Sequence, residues 1–229
     1  MHPLCHPRDA PAGFQSPVEC RRRVPRGESV YGAQAPRTSL LALRAGSVKA
    51  CLPDRAGGAH IVRFLFGGDV AGLDALSSKA AEIDLVALED SEVCVLPGYR
   101  ELMRADCSGI ASHLVDLLRI ELRRAQAHAT SLARLDAGAR IALFLLDHAG
   151  AHARFSTHGA LPLPMSRREL GEHLNLTIES TSRILCDFQA QGCIHLARGA
   201  VELLRLDALA ARARSPGRSR ISRVPEPTS

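Results

Sequence analysis

The chain has no long hydrophobic run. Its longest unbroken apolar stretch, residues 141–146, is six residues, against the roughly 20 that a helix needs to cross a bilayer, so neither a transmembrane helix nor a membrane partner is expected. The N-terminus carries no signal-like apolar core. Cysteine is unpaired by count: Cys5, Cys20, Cys51, Cys94, Cys107, Cys186 and Cys193 are an odd number at irregular spacing, unlike a secreted disulfide framework. A reducing, cytoplasmic location is the expectation. Catalytic signatures are also missing. No glycine-flanked nucleophile, metal-binding helix motif or phosphate-cradling loop is present, which argues against an enzyme, and no internal repeat is found.

Lysine is scarce too. Only two of the 29 basic residues are Lys, and 27 are Arg, whose planar fork suits bidentate contacts to phosphate or guanine. With 229 residues, 46% hydrophobic and 23% charged, the chain can bury ordinary cores in one or two domains and is too mixed to be wholly disordered. A net charge of +5 and a pI of about 9.0 make nucleic acid an early candidate partner. A plain compositional bias toward Arg and Ala would give the same numbers. His148, His152 and His158 fall in an expected loop, where they could bind metal or simply be solvated.

The chain divides by pattern. Residues 1–20 carry Pro3, Pro7, Pro11 and Pro17 and read as a disordered arm. Over 21–108, short apolar stretches alternate with turn residues, as in antiparallel β structure: residues 40–43, 48–52, 61–66, 83–88 and 93–96. Over 109–134 the period changes. Ala111, Val115, Leu118, Leu122, Ala125, Ala129 and Leu132 recur in alternating steps of four and three, the a/d stripe of a coiled-coil seam. Leu114 and Leu117 form a second strip that could pack on the β structure while the seam meets the same helix of another subunit. A buried helix within a monomer is the alternative. Residues 135–210 then hold further helices, the Leu161-Pro162-Leu163-Pro164 break and a short hairpin, and residues 211–229 read as a disordered basic tail.

The most informative stretch begins at Met165. Ser166 with Glu169 three residues on is a capping box that starts a helix. Leu170 and Leu174 point inward, and Thr177 caps a second helix running to about Ala190. Two short helices around a tight turn make a helix-turn-helix. The second helix is expected to bury Ile178, Ile184, Leu185 and Phe188, leaving Glu179, Ser180, Ser182 and Arg183 exposed where such motifs enter the major groove. Glu179 can accept from the cytosine amino group, Arg183 can donate twice to guanine, and Ser182 can bond a base or a phosphate. Thr177 and the free amides of the helix start can hold a phosphate. Alternatively, Glu179 and Arg183, four apart, form a solvated ion pair worth about 0.2–0.5 kcal/mol. Beyond Gly192, residues 193–196 and 201–204 flank Arg198-Gly199 like the hairpin of a winged helix, with Arg198 at the tip near phosphate.

Residues 174–185 (LNLTIESTSRIL), followed by Phe188-Gln189 and Gly192, resemble the recognition segment of the CRP/FNR family of bacterial transcription regulators. Residues 41–49 (LALRAGSVK) are similar to the family's strand-turn-strand signature, and residues 66–75 (FGGDVAGLDA) to the loop after it. The resemblance covers about 21–210. It implies an α+β fold: an N-terminal antiparallel β-roll of cyclic-nucleotide-binding type, a long dimerisation helix and a C-terminal winged helix-turn-helix. It also implies a homodimer on double-stranded DNA, with RNA polymerase as a further partner. An aliphatic residue, Ile178, precedes Glu179-x-x-Ser182-Arg183 as in the FNR-like branch, which implies a half-site like TTGAT in an inverted repeat. The Arg-Ser pair that would hold a cyclic nucleotide phosphate is replaced by residues 77–82 (SSKAAE), so cyclic AMP is not the expected ligand.

FNR-like oxygen sensors hold an iron–sulfur cluster on three closely spaced N-terminal cysteines and one in the β-roll. Cys94 falls where the internal ligand is expected, but only Cys5 and Cys20 precede the β-roll, so Cys5, Cys20 and Cys94 would need Cys51 or a histidine such as His2 or His6 to complete a cubane site. The alternative for Cys94 is a small buried apolar residue on a strand. An oxygen- or redox-responsive regulator and an effector-binding module without DNA binding therefore stand beside the main reading.

Overall fold

The computed structural model describes residues 20–31, 38–55, 57–74, 82–98, 108–152 and 160–215. Seven strands form the N-terminal part: β1 (Cys20–Val24), β2 (Ser39–Ala45), β3 (Ser47–Pro53), β4 (Ala59–Phe66), β5 (Val70–Ala71), β6 (Asp84–Ala87) and β7 (Ser91–Gly98). They pair antiparallel in two sheets, of order β1-β7-β2-β5 and β4-β3-β6. The fold is thus the expected antiparallel β-roll. Strand period explains its layers. Leu41, Leu43, Val93 and Val95 face inward onto Val48, Leu65 and Leu85, while their neighbours Leu40, Ala42, Cys94 and Leu96 form a second apolar face outside. Gly46 closes the β2–β3 turn at φ +83°, and a Cβ there would lie 2.7 Å from the Ser91 Cα, so only glycine fits.

Helix α1 (Ser108–Arg134) spans 27 residues, about 40 Å. Leu114 and Leu117 seat it on the outer face of Leu40, Ala42, Val70, Cys94 and Leu96. Charges extend the attachment: Arg63 pairs with Asp69 at 2.9 Å and with Glu121, and Arg124 pairs with Asp69 at 3.0 Å and Glu121 at 3.2 Å. The a/d stripe points elsewhere. Val115 is 63% exposed and Leu122 59%, and Leu118 is also open to solvent.

Helix α2 (Ala137–His152) is capped by Asp136, whose Oδ1 accepts from the Ala139 N–H at 2.9 Å. Strand β8 (Ala160–Pro162), α3 (Arg167–His173), α4 (Ile178–Ala190), β9 (Ile194–Ala197), β10 (Ala200–Leu203) and α5 (Leu206–Ala213) complete the chain. Ile141, Leu145, Leu170, Leu185, Ile194 and Leu209 are fully buried together, each contributing about 1.5–3 kcal/mol relative to exposure. The same core takes in Cys51, Ile61 and Phe64 of the β-roll. A β-bulge makes this continuity. Cys51 faces Ile61 while Ala50 faces Arg63, so Val62 is the extra residue, and the shifted parity turns Ile61 onto the face of Phe64.

Three expectations need correction. His148 and His152 are not in a loop: α2 runs through His148 and ends at His152, the His148 residue is 5% exposed, and its Nε2 lies 2.6 Å from the Pro162 carbonyl. The tail does not begin at 211, because α5 extends to Ala213 and Arg212 forms a two-pronged pair with Asp136 at 2.6 and 3.1 Å. The break at residues 161–164 is more than a linker, since β8 joins β10 as a third strand of the hairpin sheet. His158, the arm before Cys20 and residues beyond 215 lie outside the described residues.

Candidate nucleic-acid interface

The helix-turn-helix is assembled by local rules. Ser166 caps α3: its hydroxyl oxygen accepts from the Glu169 N–H at 3.2 Å, and Glu169 Oε2 accepts from the Ser166 N–H at 2.8 Å. The turn passes through Asn175 at φ +53°, a left-handed conformation that asparagine tolerates better than most residues. Gly171 is required by close approach. A Cβ there would meet the Leu176 carbonyl and Thr181 Oγ1, both at 2.9 Å, so a side chain would force α3 and α4 apart. Thr177 caps α4 by accepting from the Ser180 N–H at 3.1 Å. Thr181, fully buried, bonds back to the Thr177 carbonyl at 2.9 Å.

On α4, Leu185 and Phe188 are buried and Ile184 is half-buried, as expected. Ile178 is not: it is 38% exposed, because Thr181 takes the first inward position and Ile178 sits beyond the rim of the core. Glu179 and Arg183 are exposed on one face, with Ser180 and Ser182 half-buried beside them. The ion pairs among the described residues do not join Glu179 to Arg183, so the two side chains present an acceptor and a planar donor. The exposed Cys186 continues the same face one turn further on; the stripe 179, 183, 186 at helical spacing would have identified it.

The hairpin of β9 and β10 turns at Arg198-Gly199, and Arg198 is exposed at its tip. It is fixed to both neighbours. The Leu163 N–H donates to the Gly199 carbonyl at 2.8 Å, and Gln189 Oε1 of α4 accepts from the Leu196 N–H at 2.9 Å. Arg140, which sequence reasoning missed, ties the end of α1 to the turn. Its guanidinium donates to the carbonyls of Leu132 at 2.8 Å, Leu135 at 3.0 Å and Leu174 at 3.1 Å. No local pattern signals these bonds, since the Leu174 partner is 34 residues away.

The cysteines do not converge. Cys20 faces Val95 across β1 and β7 and packs on the inner core, whereas Cys94 faces Arg21 and Ala42 on the opposite side of the sheet, under α1. Cys51 belongs to the core shared with α2 and α3. Cys5 lies outside the described residues, and among the described residues no group of three or more His, Cys, Asp or Glu side chains could hold a metal. A cluster on Cys20, Cys51 and Cys94 therefore does not fit this fold, because their thiols lie in three separate apolar clusters. Inside the β-roll, the space lined by Val30, Leu41, Leu43, Val48, Leu65, Asp69 and Val93 is about 10 Å³, room for one water, and its one charged side chain, Asp69, is held by Arg63 and Arg124. Residues 75–81 lie outside the described residues.

Known proteins share this architecture. A family model described as a Crp-like helix-turn-helix domain matches residues 139–212, and one described as a cyclic nucleotide-binding domain matches residues 21–105. The chain is 30% identical to the transcriptional regulatory protein btr of Bordetella pertussis, over 90% of this chain and 88% of that protein. It is also 30% identical to the fumarate and nitrate reduction regulatory protein of Salmonella typhimurium, over 85% of this chain and 78% of that one. Among solved structures, FixK2 from Bradyrhizobium japonicum superposes with a TM-score of 0.73 at 29% identity, covering 86% of this chain and 98% of that chain.

Proposed function

The chain belongs to the CRP/FNR family of DNA-binding transcription regulators, which are not enzymes, and from that premise we propose that it acts in the cytoplasm as a homodimer on an inverted repeat of TTGAT-like half-sites. The observation that carries this reading is the exposed, mutually unpaired Glu179 and Arg183 on the face of a capped α4. Glu179, Ser182 and Arg183 read base edges, and Thr177, Ser180 and Arg198 hold the phosphate backbone. Thr177 does so through its main-chain amide, since its hydroxyl oxygen already accepts from the Ser180 N–H, and Ser180 through its hydroxyl, which accepts from Thr177 Oγ1 and keeps its own hydrogen to donate. The solvent-facing Val115, Leu118 and Leu122 support pairing of two α1 helices, which would set the spacing of the two α4 helices along the groove. A signal in the β-roll would act on that spacing, and RNA polymerase would be the partner of the bound dimer.

The reading is tested by selecting bound duplexes from a random DNA pool at fixed salt, with protein prepared without oxygen and after exposure to air. A TTGAT-like inverted repeat is expected in both preparations, because Cys20, Cys51 and Cys94 lie in three separate apolar clusters. Arg183→Ala is expected to cost about 1–3 kcal/mol and relax preference at one base pair, whereas Arg198→Ala weakens all sequences alike. Absence of any enriched motif, or unchanged specificity in Arg183→Ala, overturns the assignment.

A further inference from the structure

Strand β4 is an edge of its sheet, so the outward N–H and C=O of Ile61 have no strand to pair with. Helix α3 supplies the partners. Glu172 Oε1 accepts from the Ile61 N–H at 3.0 Å, and the Ile61 carbonyl accepts from His173 Nδ1 at 3.2 Å. One strand away, Lys49 Nζ bonds Glu169 at 2.9 Å. The His173 ring meets Phe64 of β4 edge-on at 5.1 Å and Phe144 of α2 at 6.0 Å. It stacks on His128 of α1, 5° from parallel and 4.3 Å between centroids. Sensor strand, long helix and reading head thus meet on a single imidazole.

We propose that His128 and His173 form a proton-operated latch: with both rings neutral, α3 is docked on β4, and a proton taken up by the pair releases the reading head from the β-roll.

The rings that pack on His173, Phe64 from β4 and Phe144 from α2, are apolar, Lys49 from β3 is a cation held by Glu169, and Arg140 from α2 adds positive charge near His128, while the Glu172 carboxylate is bonded to the Ile61 amide and not to either ring. Burial first, and His128 second, push the His173 pKa down to about 4, against a smaller opposing pull from the Ile61 carbonyl. His128 is lowered as well, by burial and Arg140, outweighing a bond to the His173 backbone. Above the ordinary 6.5 the His173 ring is neutral docked or free. Between 6.5 and about 4 the free ring takes the proton and the docked ring does not, so docking weakens as pH falls. For His173 alone this amounts to about 30-fold between pH 7.5 and 5.0. The latch stands on contacts within the chain; its use in regulation rests on the operator reading above.

Hydrogen exchange of the Ile61 amide in the full-length protein, corrected for the intrinsic effect of pH, tests the latch directly. Protection is expected to fall about 30-fold from pH 7.5 to 5.0, while amides of the β2–β7 ladder keep theirs. In His173→Phe, which retains an aromatic ring but cannot titrate, the fall should vanish. In His128→Phe, which removes the like-charged neighbour and leaves the Ile61 bonds in place, it should shrink, and this variant decides the matter if His173→Phe does not fold. Constant protection in the wild type, or an undiminished fall in the variants, which would assign the effect to Glu172, overturns the latch. No DNA enters this measurement, so its failure is distinct from failure of the duplex selection.

Discussion

Against α1, strand β4 and the turn after it are held by charge: Arg63 and Arg124 share Asp69 and Glu121 in a part-buried lattice. Against α3, the same strand β4 is held by rings and buried main chain, with Phe64, His173 and Phe144 packed around the Ile61 amide and carbonyl. Exposed ion pairs are each worth about 0.2–1 kcal/mol and are screened by salt. Buried aromatic contacts are worth more, are indifferent to salt, and fail only when a charge is forced into them. One strand therefore carries two grips that answer to different conditions. Both grips lie within the eight residues of β4, and the stacked His128 and His173 join the long helix to the reading head beside them.

Breaking the ring seam should have the largest effect. Phe64→Ala removes a side chain that is 6% exposed and is expected to cost about 3–5 kcal/mol, read by urea unfolding, with no dependence on salt. Arg63→Met, which keeps the aliphatic stem and deletes the charge, should cost about 1–2 kcal/mol at low ionic strength. That loss should shrink at 1 M salt, where the screening length is about 3 Å; a loss unchanged by salt would mean that the two seams are not different in kind. Glu169→Gln should be the mildest, at about 0.5 kcal/mol. Burial alone would raise the Glu169 pKa, but Lys49 and the Ser166 amide and hydroxyl outweigh it and hold the carboxyl below its usual range. Its contribution is thus present at neutral pH and lost only as pH falls below about 4.5, so the variant should flatten that acid limb and leave the histidine window above it intact.

What the sequence discloses is what local physics decides. The capping box at Ser166 and Glu169, the Thr177 cap and the inward Leu185 and Phe188 follow from spacing alone, and so does the split of α1 into a seated strip at Leu114 and Leu117 and an outward stripe at Leu118 and Leu122. The failures have physical causes too. Ile178 fits the apolar period yet sits at the helix start, past the edge of what it could pack against. The spacing of Ile141, Phe144 and Leu145 gives a helix to His148 but not its last turn, where Phe66 of β4 packs on the His148 ring at 4.0 Å and extends the helix's buried side. The contacts of Arg140, Arg212 and His173 reach across 34, 76 and 112 residues, and no periodicity encodes a partner at such distance.

The docking of α3 on β4 has a consequence for solubility. An uncovered edge strand is a template on which a second chain can add its own strand, and β4 has a rim that includes the exposed Val62. By occupying the Ile61 amide and carbonyl, the reading head also serves as a guard against strand-to-strand aggregation. Any condition that lifts it away leaves a sticky margin behind, so the opened form should be the species that precipitates first in concentrated solution.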